Sequence, residues 1–223
     1  MSFIHKKTVK FLVDLKDNNN REWFNTNRER YDFALQNFKE FTDKLILSIA
    51  SFDKSIASLE AKDCIFRIYR DVRFARDKNP YKTNMGAYIA RGGRKSPFAG
   101  YYFHLEPEES FVSGGIYMAP NPILKKIRED IDYYHEEFRG IVESEVFQKT
   151  FTSIGSESLK RVPAGFSSDS PVAKYLMLKH ITPSRPLKSN EILDSNLIER
   201  ISANYKVMLP LIAFINRSIE TED

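Results

Sequence analysis

The spacing of apolar residues predicts helices at the beginning of the chain. Residues 3–17 place apolar side chains at helical intervals, and the run of asparagines at 18–20 ends this pattern. Asn19, followed three residues later by Glu22, can form a capping arrangement for a second helix from about 21 to 51. At about 1.5 Å per residue this helix would be over 40 Å long, so we expect it to span the domain.

Between residues 63 and 118 the apolar pattern changes from a period of about 3.6 residues to a period of two, which predicts strands. The alternation at 65–70 predicts a first strand, with Arg67 and Arg70 on opposite faces. A Gly-Gly hairpin turn joins the next two strands, and the segment EPEES leads into the strand FVSGGIYM. The pattern therefore predicts an antiparallel β-meander of at least four strands at about 63–118.

The pattern returns to helical spacing after the meander. Two prolines precede the run ILKKIREDIDYYHEEFRGIV and favour a helix start there, and a short helix is predicted at SEVFQKTFTSI. A closing helix from about 190 to 219 contains Pro210, which we expect to kink or divide it. The predicted organisation is one α+β domain over 1–223, with the sheet packed against N-terminal and C-terminal helices.

Charge is distributed unevenly along the chain. The 223 residues are 42% hydrophobic and 29% charged, as in an ordinary globular protein, and the net charge is +4. Residues 61–100 contain 10 Lys or Arg and 3 Asp or Glu, an excess of +7, whereas residues 101–150 contain 5 and 10, an excess of −5. The basic character therefore belongs to the one stretch 61–100, which contains the segment CIFRIYRDVRFARDKNPYK at 64–82, and such a local excess indicates a binding partner or a site.

Other features of the sequence bear on the cellular compartment, the single cysteine and metal binding. It has no signal-like N-terminus and no run of about 18 apolar residues, so we expect a cytoplasmic protein without a membrane partner. Cys64 is the only cysteine, which excludes an internal disulfide, and we interpret it as a buried apolar side chain. The four histidines lack the spacing of metal ligands and predict no metal site, spacing alone does not indicate a magnesium site at Asp71 and Asp77, and the sequence leaves any cofactor unknown.

Two segments look like catalytic or binding motifs but depart from them. The run ARGGRKSP has Arg94 where a phosphate-binding loop needs its second glycine, and Pro97 blocks the following helix. A hairpin turn is therefore favoured there. The segment FVSGGIY lacks the Gly-x-Ser-x-Gly pattern of a serine hydrolase and is better explained as a strand.

The basic stretch has the composition of an anion-binding site. Guanidinium groups bind phosphate or carboxylate through paired hydrogen bonds, lysines add point charge, and tyrosines can stack on bases. The predicted anion-binding residues are Arg67, Arg70, Arg73, Lys78, Tyr81, Lys82 and Lys179. The candidate catalytic residues are Asp71, Asp77 and His104, with an aspartate as general base or metal ligand.

Three functions remain open from the residues alone. The first is a phosphate-type site, in an enzyme that processes a phosphate ester, a nucleotide or a nucleic acid. The second is a non-catalytic nucleic-acid-binding module. In the third, Asp71 and Asp77 neutralise neighbouring arginines, the charged block is structural, and function lies in assembly with a partner. Arg67 and Arg70 favour the first, because one of them should lie on the packed face of a sheet, where a charge requires a partner or ligand.

Several blocks of the sequence resemble one known family. The segments NNREWFNTNRERYDFA, CIFRIYRDVRFARDKNPYKTN, LKRVPAGFSSDSP and LKH resemble the family named domain of unknown function 2461, from Phe11 to about Ile215. The resemblance implies a compact α+β domain of bacterial and some fungal proteins, and it implies no catalytic residues. The positions that match its signature are Arg67, Arg70, Asp71, Arg73, Phe74, Asp77, Lys78, Pro80, Tyr81 and Lys82, with Gly92, Gly93, Gly100, Tyr101, Tyr102 and Glu106 on the following hairpin.

Overall fold

Helices and one small sheet make up the computed structural model, which describes residues 3–220. The α-helices are α1 (Lys6–Asp17), α2 (Arg21–Thr26), α3 (Arg28–Ala50), α4 (Ala61–Cys64), α5 (Asn121–Tyr133), α6 (His135–Val142), α7 (Glu145–Thr150), α8 (Ala173–Leu176), α9 (Ser189–Ile192) and α10 (Leu197–Glu220). The strands are β1 (Met85–Ala90), β2 (Gly100–Leu105), β3 (Phe111–Gly115) and β4 (Ser184–Pro186). No helix within the described range is both long and apolar enough to cross a membrane.

The predicted second helix is divided into α2 and α3 at Asn27. The cap of α2 is Asn20, whose side-chain oxygen accepts a hydrogen bond from the backbone N–H of Trp23 at 2.9 Å. The carbonyl oxygen of Trp23 accepts both the backbone N–H and the side-chain amide of Asn27, each at 2.9 Å, and these bonds close the end of α2. Asn19, the predicted cap, instead binds the backbone of Tyr81.

Two later predicted helices are also divided, and neither division lies at a proline. The helix after the two prolines ends at Tyr133 and resumes at His135, and α9 is separated from α10 by residues 193–196. Within α10 the helix continues through Pro210, which is exposed. Met208 and Leu211 on either side are fully buried, so core packing holds both halves of α10 together across the missing backbone hydrogen bond.

The four strands form one antiparallel sheet in the order β1-β2-β3-β4, which confirms the α+β class. The first three strands lie in the predicted meander, but the fourth comes from the C-terminal third of the chain. The segment 65–70 contributes only isolated bridges, from Ile65 to Ala87 and from Tyr69 to Tyr81, and the strand predicted there is not formed.

The segment 65–70 leaves the sheet because its backbone pairs with a later part of the same stretch. The backbone N–H of Arg70 donates to the carbonyl oxygen of Pro80 at 2.9 Å, and that of Lys82 donates to the carbonyl oxygen of Ile68 at 2.8 Å. These bonds close a loop at 71–79. The predicted split of the arginines between two sheet faces therefore does not apply: Arg67 is exposed and Arg70 is half-buried.

The two faces of the sheet have different surroundings. Phe103 of β2 is fully buried and packs against Phe38 and Phe41 of α3, with ring centroids 6.0 and 5.1 Å apart. Tyr102 and His104 alternate with Phe103 and therefore point to the opposite face, where they line a cleft.

Candidate functional site

A cleft of about 960 Å³ lies on the face of the sheet opposite α3. This volume is within the range of small-molecule sites. Its walls come from Phe66 and Lys82, from the hairpin at 94–98 and from the segment 116–120. The side chains of its floor are Tyr88, Tyr102, His104, Phe111 and Ser113.

Three side chains along β2 and its continuation form a hydrogen-bonded chain. The Nε2 atom of His104 lies 2.9 Å from Oε2 of Glu106, and its Nδ1 atom lies 2.9 Å from the hydroxyl of Tyr102. An ionised carboxylate only accepts hydrogen bonds, so Nε2 carries a proton, and in the neutral imidazole Nδ1 then accepts the hydroxyl proton of Tyr102. The chain thus runs from a carboxylate through an imidazole to a phenol that lines the cleft.

Neighbouring residues hold this chain in place. The hydroxyl of Thr83 donates to Oε1 of Glu106 at 2.5 Å, and the ring of Phe111 stacks on His104 with centroids 4.5 Å apart. Gly86 lies beside the phenol, and a Cβ atom there would be 2.6 Å from the hydroxyl oxygen of Tyr102. The ring of Tyr102 therefore occupies space that any other residue at position 86 would fill.

The electrostatics of the chain favour a charged carboxylate and a neutral phenol. Burial raises the pKa of Glu106, but hydrogen bonds from Thr83 and His104 outweigh it and hold this pKa below the ordinary value. Burial and the charge of Glu106 raise the pKa of Tyr102 to about 12. At neutral pH the phenol therefore keeps its proton and donates it to His104 in a hydrogen bond.

Lys82 and His104 are the predicted site residues that line the cleft. Lys82 is half-buried, with Nζ 5.4 Å from the ring centroid of Phe66, and burial together with Arg67 lowers its pKa. Among the residues described, neither Lys82 nor the exposed Arg67 has an ion-pair partner. Lys82 is thus a positive charge at the edge of the cleft that no carboxylate neutralises.

Two of the predicted arginines are bound to the predicted aspartates. Arg70 lies 2.5 Å from Asp77, and Arg73 binds Asp71 through both Nε (3.0 Å) and Nη2 (2.7 Å). The hydrogen bonds of Arg73 lower the pKa of Asp71, and those from the backbone of Asn79 and from Arg70 lower the pKa of Asp77. Both aspartates are therefore ionised partners of arginines and lie outside the lining of the cleft.

The remaining predicted anion-binding residues also lie outside the cleft lining. Lys78 donates to the carbonyl oxygen of Val72 at 3.1 Å, and Lys179 lies 3.1 Å from Glu157. Tyr81 is buried, with 5% of its surface exposed. Residues 3–220 contain no cluster of three or more His, Cys, Asp or Glu side chains that could hold a metal ion.

Cys64 and the turn at 92–93 agree with their sequence interpretations. Cys64 is fully buried, as predicted, and burial raises the pKa of its thiol to about 12. The antiparallel pairing of β1 with β2 confirms the hairpin, and both glycines of its turn at 92–93 have positive φ, 82° and 81°. Tyr102 and Glu106, the hydrogen-bond partners of His104, were not predicted as site residues, although all three follow the period-two spacing that places side chains on one face of a strand.

The fold and the cleft define an α+β protein with a largely apolar, aromatic cleft on the open face of an antiparallel sheet. A model of the family described as conserved hypothetical protein (DUF2461) matches residues 7–214, and the chain belongs to this family. The resemblance indicated by the sequence blocks is thereby confirmed. Comparison with curated proteins and with solved structures found no match.

Proposed function

We propose that the cleft binds a small molecule with a phosphate-type anionic group, and that the protein is an enzyme acting on a phosphate ester or nucleotide. The observation that carries this proposal is Lys82, a half-buried cation without a carboxylate partner at the edge of the cleft. A charge withdrawn from water is stabilised by an opposite charge, and an anionic ligand would supply it. Arg94 and Lys95 line the cleft as further cations.

The aromatic lining of the cleft favours a ligand with a flat ring. Phe66, Phe98, Tyr102, Phe111 and Tyr117 all border the same space. Stacking of a base on an aromatic side chain contributes about 1–3 kcal/mol, and an ammonium group at the edge suits a phosphate. A nucleotide combines both features, and this supports a nucleotide as the ligand class.

The proposal is tested by calorimetric titration of the protein at low salt with AMP, with adenosine and with inorganic phosphate. The variant Lys82→Gln should bind AMP at least about 10-fold more weakly, corresponding to about 1.4 kcal/mol, and should bind adenosine as the wild type does. The matched control is Lys206→Gln, because Lys206 is exposed on α10 outside the cleft lining. A wild type that binds none of the phosphate compounds, or equal AMP affinity in Lys82→Gln, would overturn the proposal.

A second candidate function, nucleic-acid binding, rests on the loop at 71–79. Phe74 in this loop is 96% exposed, and it lies between Arg73 and the exposed Arg76. Exposed aromatic and cationic side chains together are typical of single-strand binding. This function predicts binding to single-stranded DNA that weakens steeply with salt and falls in Arg73→Ala and Phe74→Ala. The absence of binding even at low salt would remove it.

A further inference from the structure

We propose that Tyr102, His104 and Glu106 form a proton-transfer chain in which Tyr102 is the catalytic acid–base residue of the cleft. This inference deepens the proposed function. It rests on that function in one respect only, namely that the proton comes from a ligand held at Lys82. The side chains of Tyr102 and His104 both line the cleft, and those of His104 and Glu106 are only 12% and 14% exposed. Both ring nitrogens of His104 are occupied by hydrogen bonds to Tyr102 and Glu106, so a ligand in the cleft exchanges its proton with the Tyr102 hydroxyl.

The direction of the hydrogen bonds allows proton transfer without rearrangement. In the neutral form of His104, Nδ1 accepts the hydroxyl proton of Tyr102 and Nε2 donates to Glu106, across distances of 2.9 Å each. When the imidazole takes the proton, it becomes a cation beside the carboxylate of Glu106, which stabilises it. Thr83 holds the second oxygen of that carboxylate, so the carboxylate remains oriented throughout.

The transfer is balanced in protons and electrons. In the base direction, an O–H bond of the ligand breaks, its electron pair stays on the ligand oxygen, and its proton binds the oxygen of Tyr102. The original phenol proton passes at the same time to Nδ1 of His104. In the acid direction both protons move back, so the step needs neither an oxidant nor a reductant. The charged groups facing the cleft, Lys82, Arg94 and Lys95, are cationic and stabilise the ligand anion.

The cleft contains a second tyrosine that lacks such a path. Tyr88 lies directly opposite Tyr102 in the register of β1 and β2 and lines the same cleft. Its hydroxyl lies 2.9 Å from the carbonyl oxygen of Phe98 and 3.0 Å from that of Gly115. A backbone carbonyl accepts a hydrogen bond but does not take up the proton at neutral pH. Tyr88 is therefore an internal control for Tyr102.

An arylsulfonyl fluoride tests whether His104 activates the phenol, and it needs no knowledge of the substrate. The phenol oxygen attacks sulfur, the S–F bond breaks, fluoride leaves, and the phenol proton passes to His104. The rate at each tyrosine of the full chain is measured by mass spectrometry. Tyr102 should react at least about 10-fold faster than Tyr88. Acid–base catalysis of a bound substrate accelerates a reaction by about 100-fold or more, and we expect a smaller effect here because no binding site positions the reagent.

The variants His104→Gln and Glu106→Gln should lower the rate at Tyr102 by about 10-fold and leave the rate at Tyr88 unchanged. A rate at Tyr102 that does not exceed that at Tyr88, or that His104→Gln leaves unchanged, overturns the inference. If His104→Gln does not fold, ¹⁵N NMR of the wild type decides: the proton must be on Nε2 of His104, and a proton on Nδ1 at neutral pH overturns the inference.

The role of Glu106 as a positioning residue has its own spectroscopic signature. Glu106→Gln should change the ¹⁵N shifts of His104, because an amide can no longer hold the Nε2 proton as a carboxylate does. Unchanged shifts with a lowered Tyr102 rate would contradict this role.

The inference and the proposed function fail separately. A protein that binds no phosphate compound but shows His104-dependent labelling of Tyr102 refutes the proposed function alone. A protein that binds AMP through Lys82 without such labelling refutes this inference alone.

Discussion

The ring of Tyr81 lies parallel to that of Phe24, with centroids 3.9 Å apart and an angle of 12° between the planes. The side-chain amide of Asn19 binds the backbone of Tyr81. It donates to the carbonyl oxygen of Tyr81 at 2.9 Å and accepts from the N–H of Tyr81 at 3.1 Å. These contacts join α2 and the residues before it to the end of the basic stretch. They also set the positions of the next two residues. Lys82 lines the cleft, and the hydroxyl of Thr83 donates a hydrogen bond to Glu106.

We therefore expect Tyr81→Ala to lower the free energy of unfolding by about 3–5 kcal/mol, the usual cost of removing a buried aromatic ring. Tyr81→Phe keeps the ring and should remain within about 1 kcal/mol of the wild type. Urea unfolding measures both. A loss of less than about 1 kcal/mol in Tyr81→Ala would show that this stacking does not anchor the stretch.

The ion pair between Arg70 and Asp77 tests the structural hypothesis for the basic stretch. The two side chains are 28% and 54% exposed, and an ion pair in such a setting contributes about 0.2–1 kcal/mol. A double-mutant cycle with Arg70→Ala and Asp77→Ala should give a coupling energy in this range. A coupling of about 3 kcal/mol or more, or failure of Arg70→Ala to fold, would favour the structural hypothesis instead.

Gly86→Ala should disturb the proton-transfer chain without removing any of its members. The added Cβ would lie 2.6 Å from the hydroxyl of Tyr102, so the phenol must shift, and overpacking of this kind costs about 1–3 kcal/mol. We expect slower sulfonylation of Tyr102 in a folded protein. The control is Gly140→Ala in α6, where nothing lies within 4 Å and the helix should gain up to about 1 kcal/mol. Unchanged Tyr102 reactivity in Gly86→Ala would contradict the geometry.

The depressed pKa of Glu106 predicts a loss of stability in acid. A carboxyl whose pKa is lower in the folded than in the unfolded state stabilises the fold fully above the unfolded value of about 4.3. This contribution disappears as the pH falls through the folded pKa. Glu106→Gln should therefore be less stable than the wild type at pH 7. Urea unfolding should show that this difference in the free energy of unfolding becomes smaller below about pH 4. Glu109→Gln, at an exposed position nearby, should show no such narrowing.

The lowered pKa of Lys82 predicts that stability rises with pH at the alkaline end as well. Burial, with a contribution from Arg67, disfavours the ammonium form in the folded protein. Between the lowered pKa and the ordinary value of about 10.4 the unfolded chain binds more protons, so stability rises with pH in this window. The stability of the wild type relative to Lys82→Met should therefore increase with pH, whereas relative to Lys206→Met it should stay constant. A constant difference for Lys82→Met would show that this amine is not desolvated.

The local pattern of the sequence was sufficient for most of the secondary structure. Periods of 3.6 and two residues report which side of a helix or strand is buried, and they predicted α1 and the strands β1, β2 and β3. The same alternation failed at 65–70, because the backbone there pairs with residues 80–82 instead of continuing along β1. The pattern could not reveal β4 as the fourth strand, since its three residues are too few to show alternation.

The sequence by itself determined the α+β class, the family, the concentration of positive charge at 64–82 and the spacing of Tyr102, His104 and Glu106 on one strand face. Only the tertiary structure decided which cations form ion pairs with carboxylates and which face of the sheet borders the cleft. The ion pair between Arg70 and Asp77 depends on the closure of the loop at 71–79, and that closure depends on contacts such as Tyr81 with Phe24 between residues far apart in sequence. Such contacts are set by packing in three dimensions, which leaves Lys82 at the cleft while Arg70 and Arg73 bind carboxylates.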